Sequence, residues 1–316
     1  MTYAHTILRN ARSGNVKWTL RVALDRESYH AGDILQANVF LCVVEPVHCN
    51  GIEGYISGQE KVTWSEKATH RASGEDVYSQ QNEFLNDKMI VAKPRMYGPG
   101  EYVFPVVYQL HSILPASSQL KRHPVGAMNS VHAQLSYVFH VGLNANQGVI
   151  LEVEQEIVIQ ETELASRFLT GFGTAIPMIP VQSVVPLGGR LMATLDKPSY
   201  RPGEILRVQC RMDNDISFGG RDSITVFFRL FEDVSITVAS SKRCESSRLL
   251  CEQSFQVEID APTIELQLEL ASVPNGTPVE RSYCSSFVGR RHRLAVESFF
   301  PSNNDGVTAE MAVVIL

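Results

Sequence analysis

The sequence predicts an all-β chain built as two tandem β-sandwich domains, and three observations carry that expectation. A twelve-residue segment recurs once, at an offset of 171 residues. Short runs of apolar–polar alternation follow one another with turn clusters between them, the pattern of β-sandwiches. No segment makes a long amphipathic helix capped at both ends. The 316 residues also suit two domains of roughly 150 residues each.

The repeat comes first in the argument because it sets the organisation. Leu24-Asp-Arg-Glu-Ser-Tyr-His-Ala-Gly-Asp-Ile-Leu35 returns as Leu195-Asp-Lys-Pro-Ser-Tyr-Arg-Pro-Gly-Glu-Ile-Leu206, with seven of twelve positions identical. So long an offset is no solenoid period; it implies two copies of one domain fold. Each copy is expected to be a strand, a tight turn and a second strand. Pro202-Gly203 suits the central positions of a type II turn, where glycine takes positive φ cheaply, and Gly32 holds the same place in the first copy. Tyr29 and Tyr200 are expected to fix the corner by packing the ring and hydrogen-bonding the hydroxyl.

Strands are expected on both sides of each turn, at 17–24 and 34–44 in the first copy and 189–195 and 205–212 in the second. Alternation predicts further strands at 51–64, 101–110, 133–143 and 149–159. The second half repeats the pattern at 223–231, 254–259, 264–270, 292–299 and 308–316. One short helix at most is expected, near 162–168. Residues 170–186 hold three prolines, two glycines and no charge. A free linker is usually polar, so this one is expected to dock. The domains are therefore placed at 1–164 and 188–316, with 165–187 as the apolar docked connector.

Composition and motif searches narrow the function classes. Lys plus Arg total 28 against 34 Asp plus Glu, a net charge of −6, which runs opposite to phosphate-neutralising nucleic-acid binders. No run of 18 uncharged apolar residues suggests a spanning helix. The first ten residues lack the apolar core of a secretory signal, so a cytoplasmic protein is expected. The six cysteines show no C-x-x-C pair and are expected to be free, mostly buried thiols. No Gly-x-Ser-x-Gly elbow and no phosphate loop is present, and Gly171-Phe-Gly173 lacks the third glycine of a dinucleotide site. The nine histidines are scattered, His140 reading as a partly buried strand histidine. Glu152, Glu154 and Glu156 alternate along one strand, the pattern of a solvated face. No enzyme activity, no cofactor and no metal site is expected.

Binding features are more informative. Arg290-Arg291-His292-Arg293 is the densest basic cluster, and Lys121-Arg122-His123 forms another. Both are candidate contacts for acidic or phosphorylated tails or for anionic lipid headgroups, with arginine offering bidentate contacts to phosphate. Pro177-Met-Ile-Pro180 matches a minimal P-x-x-P pattern, for which packing in the connector is the expected role.

These residues together carry a family likeness: the chain resembles the arrestin-like proteins, closest to the α-arrestins (arrestin domain-containing proteins). The shared landmarks are Tyr29 to Asp33, Glu45-Pro46-Val47, Gly51-Ile52 through Gly58 to Trp64, Gly100-Glu-Tyr-Val-Phe-Pro105, Leu114-Pro-Ala-Ser117, the Tyr137 to Leu143 strand, the restart at Leu195 to Leu206 and the apolar strand at Met311 to Leu316. Their order and spacing cover nearly the whole chain. The resemblance implies two tandem immunoglobulin-like β-sandwich domains in an arrestin-like arrangement. It implies a non-enzymatic adaptor that holds membrane-protein cytoplasmic tails and links them to endocytic, sorting or ubiquitin-ligase machinery at the plasma membrane or endosomes. By the same likeness Arg9, Arg12, Lys17 and Arg26 are candidate phosphate sensors. The sequence has no Pro-Pro dipeptide, so the Pro-Pro-x-Tyr ligase motif of α-arrestins is absent. That departure keeps open an alternative, a constitutive structural subunit of a retromer-like endosomal coat. A secreted adhesion sandwich is a third possibility, set back by the lack of a signal peptide.

Overall fold

The computed structural model describes residues 17–67, 74–122, 125, 128–145, 148–160, 181–184, 189–197, 199–214, 223–238, 242–258, 263–270, 279–299 and 306–315. Among them every regular element is a strand. Residues 1–124 with 128–162 form one compact unit, and 163–316 with 125–127 form a second.

The first unit runs β1 (Trp18–Leu24), β2 (Tyr29–His30), β3 (Ile34–Val43), β4 (Val47–Cys49), β5 (Gly51–Lys67), β6 (Glu75–Ala92), β7 (Arg95–Tyr97), β8 (Gly100–Gln109), β9 (Ser118–Arg122), β10 (Ser130–Ala145), β11 (Gly148–Ile157) and β12 (Ile159–Gln160). One sheet has the order β1-β3-β8 and a larger one β11-β10-β5-β6, with β9 also on β10. Successive side chains point to opposite faces. Leu35, Ala37, Val39, Leu41 and Val43 of β3 therefore share one buried cluster with Tyr137, Phe139, Val141 and Leu143 of β10. Two sheets closing on one apolar core is consistent with a β-sandwich.

The second unit runs β13 (Val181–Val184), β14 (Gly189–Leu195), β15 (Ser199–Tyr200), β16 (Ile205–Asn214), β17 (Ser223–Val238), β18 (Lys242–Glu258), β19 (Ile264–Glu269), β20 (Tyr283–Cys284), β21 (Val288–Phe299) and β22 (Gly306–Ile315). Its sheets have the orders β13-β14-β16-β19 and β15-β22-β21-β17-β18, with β20 on β21. Removing β13 and β15 leaves β14-β16-β19 beside β22-β21-β17-β18. Those match β1-β3-β8 and β11-β10-β5-β6 strand for strand. The short sequence repeat is thus the visible trace of a duplicated topology.

The repeated corner is built the same way twice. The Tyr29 hydroxyl donates to Asp25 Oδ1 at 2.6 Å, and the Tyr200 hydroxyl donates to Asp196. Both rings are fully buried. Burial, then the neighbouring carboxylate, pushes each phenol pKa well up, so the hydroxyl stays a donor. The turns close with Asp33 N–H donating to His30 O and Glu204 N–H to Arg201 O, both at 3.0 Å. Gly32 sits at φ 84° and Gly203 at φ 90°. Proline at position 202 cannot take positive φ, so the second turn is type II rather than type I′. The last strand of each unit then pairs in parallel with the corner tyrosine, Ile159 beside Tyr29 and Ile315 beside Tyr200.

Three expectations change. The 18-residue strand β6 was not anticipated: only Leu85 along it is buried, so it lacks the alternation that marks a half-buried strand. β18 begins at Lys242 rather than at Ser254. Val181–Val184, assigned above to the connector, is a strand paired with β14. The rest of the connector with Pro177 and Pro180, and the expected short helix, lie outside the described residues. All six cysteines are free, and burial pushes the Cys210 thiol up to about 12.

Candidate functional site

Among the described residues, the candidate basic side chains of each unit are spread over separate positions and partners. Arg9, Arg12 and His123 lie outside the described residues, as does the Arg122 side chain, whose backbone pairs with Val131. Lys17 and Arg26 flank the two ends of β1, roughly 30 Å apart along extended chain. Lys17 Nζ pairs with Glu45 at 2.7 Å. Arg26 reaches Asp25 and Asp33, each at 3.2 Å, over the ring of Tyr29, which makes it part of the corner. Lys121 is exposed on β9 opposite His132.

The Arg290–Arg293 run is divided by the strand period, and here the expectation of a surface cluster is corrected. Arg290 and His292 face inward, 5% and 2% exposed, while Arg291 is exposed. Arg290 Nε lies 3.1 Å from Glu232 Oε1, itself 2% exposed, and Nη1 meets Glu280. Arg248 reaches the other Glu232 oxygen at 3.0 Å. His292 Nδ1 lies 2.9 Å from Ser282 Oγ, which accepts from Ile315 N–H at 3.0 Å. Burying an arginine without a partner is prohibitive, so Arg290 belongs to this internal ion pair and not to a ligand. Arg293 is also committed, to Asp233 at 3.2 Å and to Glu310. Arg291 borders a surface groove shared with Arg243, Asp233 and Glu245. Two acids against two arginines there do not make an anion trap.

Two arrangements emerge that the linear sequence does not display. The first is an apolar strip on the β1-β3-β8 sheet. Register places Arg21, Phe40 and Val103 in one row across three strands, with the Arg21 guanidinium 5.5 Å from the Phe40 ring centre. Val103 and Val107 are exposed on β8, at 53% and 70%. Among the described residues β8 has a strand neighbour on one side only, so its outer edge offers unpaired backbone donors and acceptors. Pro105 interrupts that edge, a common guard against unwanted pairing.

The second is a histidine–carboxylate cluster on the larger sheet. His140 of β10 stands directly opposite Glu154 of β11, and Glu152 is its diagonal neighbour two residues along. The imidazole stacks on Tyr55, ring centres 4.2 Å apart and planes within 9°. Its Nε2 is 3.0 Å from Ser57 Oγ. Its Nδ1 is 3.4 Å from Glu154 Oε1 and makes no hydrogen bond. Burial lowers the His140 pKa despite the opposing pull of Glu154, Glu152 and Glu83, which favours the neutral ring. Ligand atoms of His140, Glu152 and Glu154 all lie within 4.8 Å of one another.

Among the described residues no helix is long and apolar enough to cross a membrane. Neither a scan against protein-family models nor a search of curated proteins finds a match to this chain.

Proposed function

We propose that the protein is a non-enzymatic, cytoplasmic adaptor of arrestin-like type. Its units would be immunoglobulin-like sandwiches, and its cargo the cytoplasmic tails of membrane proteins, which it links to sorting or ubiquitin machinery at a membrane surface. The observation that carries the proposal is the duplication. Two units of the same strand order each build a corner on a buried tyrosine that donates to an exposed aspartate, in the order and spacing of motifs that led to the arrestin-like resemblance. The open edge of β8, backed by Val103, Val107 and Phe40, supports a binding role. An extended tail adds there as a further strand, with main-chain hydrogen bonds giving affinity and side-chain pockets selectivity.

The test is affinity capture of the tagged full chain, with mass spectrometry of its partners at low and high salt. A set of membrane proteins lost at high salt, together with a ubiquitin ligase or sorting factors, is the expected result. A fixed, salt-resistant stoichiometric complex with coat subunits overturns the adaptor in favour of a retromer-like structural subunit. Capture of soluble enzymes alone overturns both.

A further inference from the structure

A row of glutamates on a sheet is ordinarily solvated, and Glu152 and Glu154 by themselves mark nothing. What sets this row apart is the imidazole wedged beside it. His140 is 15% exposed, clamped on one face by Tyr55 and at Nε2 by Ser57. Its Nδ1 has no solvent contact and no hydrogen bond, yet points toward two carboxylates. With the ring proton on Nε2, donating to Ser57 Oγ 3.0 Å away, Nδ1 presents a lone pair to the acids.

We propose that His140 Nδ1 and one oxygen each from Glu152 and Glu154 bind a single divalent cation of the zinc class, with water completing the shell. A cation about 2.0–2.1 Å from tetrahedral donors sets those donors about 3.3 Å apart. The 3.4 Å between His140 Nδ1 and Glu154 Oε1 matches, and a ligand oxygen of Glu152 lies within 4.8 Å of both. Ser57 supplies the outer hydrogen bond that metal-bound histidines regularly make, holding tautomer and ring orientation. One imidazole with carboxylates suits zinc or cobalt better than calcium or magnesium, which take oxygen ligands alone. Because β10 and β11 are adjacent strands, the ion would staple the hairpin that carries the last long strand of the first unit.

Metal-stripped full chain is titrated with Co2+ alone, then Zn2+ alone, for the parent, His140→Gln and Glu154→Gln. The expected result is one equivalent of Co2+ with visible tetrahedral absorption, displaced by Zn2+. Affinity should fall at least tenfold in each variant. Glu154 is 41% exposed, so Glu154→Gln tests the site even if His140→Gln folds poorly. No Co2+ absorption in the parent, or equal affinity in the parent and Glu154→Gln, overturns the proposal. Neither outcome depends on what the adaptor binds.

Discussion

Replacing Glu232 with glutamine tests whether the second unit rests on a buried ion pair. The substitution keeps the shape of the side chain and removes the charge that faces Arg290 across 3.1 Å. Both partners are at most 5% exposed, so water cannot take over. Breaking such a pair from one side costs about 3–5 kcal/mol, because the remaining charge is stranded. Glu280, about half exposed, still touches Arg290, which places the expected loss near the lower end, about 3 kcal/mol. For a unit of this size that is a fall in Tm of about 6–12 °C. Glu280→Gln removes only the outer contact and should cost less than about 1 kcal/mol. The double variant Glu232→Met with Arg290→Met should return to within about 1 kcal/mol of the parent, since apolar replacement of a whole buried pair is often neutral. Urea and thermal unfolding of all four proteins supply the comparison. If Glu232→Gln melts with the parent, or costs no more than Glu280→Gln, the pair contributes nothing and the electrostatic argument fails.

The corner makes a second prediction. A Cβ on Gly203 meets nothing within 4 Å, so only the φ of 90° opposes substitution. Gly203→Ala should lose about 1–2 kcal/mol, Gly203→Asn less and Gly203→Val more, measured by urea unfolding; equal stability of the valine variant would refute the turn. Gly58 is the opposite case. A Cβ there comes within 2.8 Å of Phe84 and 2.9 Å of Tyr137, so Gly58→Ala should cost about 1–3 kcal/mol by overpacking, and a melt unchanged from the parent would show that the rings give way. Asp87 supplies a pH dependence. The Tyr108 hydroxyl, and after it His111, hold its pKa below the usual carboxylate value. Its stabilisation is therefore full above about pH 4 and lost as pH falls through the lower folded value. Tyr108→Phe should raise that folded pKa and flatten the acid limb of a stability–pH curve; an unshifted NMR titration of Asp87 would refute the coupling.

The misjudged residues share a cause. Four consecutive positions, 290 to 293, look like one basic patch along the chain, yet a strand sends alternate side chains to opposite faces. The sign of the alternation was undecidable without Glu232, which lies on another strand, as the inward partner. β6 gives no strand signal in the sequence because it has almost no buried face. His140 is the partly buried strand histidine, and Glu154 the exposed acid, that the sequence suggests. Only the register of β10 against β11 makes them neighbours.

What the amino-acid order determined by itself is whatever rests on neighbours along the chain. The strand period of β3 and β10 is such a property, and so is the turn chemistry of Ala31-Gly32 and Pro202-Gly203. The likeness of the two corners follows from these, because residues a few positions apart make each corner. Tertiary structure alone decided which way each strand faces and what lies across from it. Those pairings join residues such as Glu232 and Arg290 that are remote in sequence. A slip of one residue in register would turn every one of them to the opposite face.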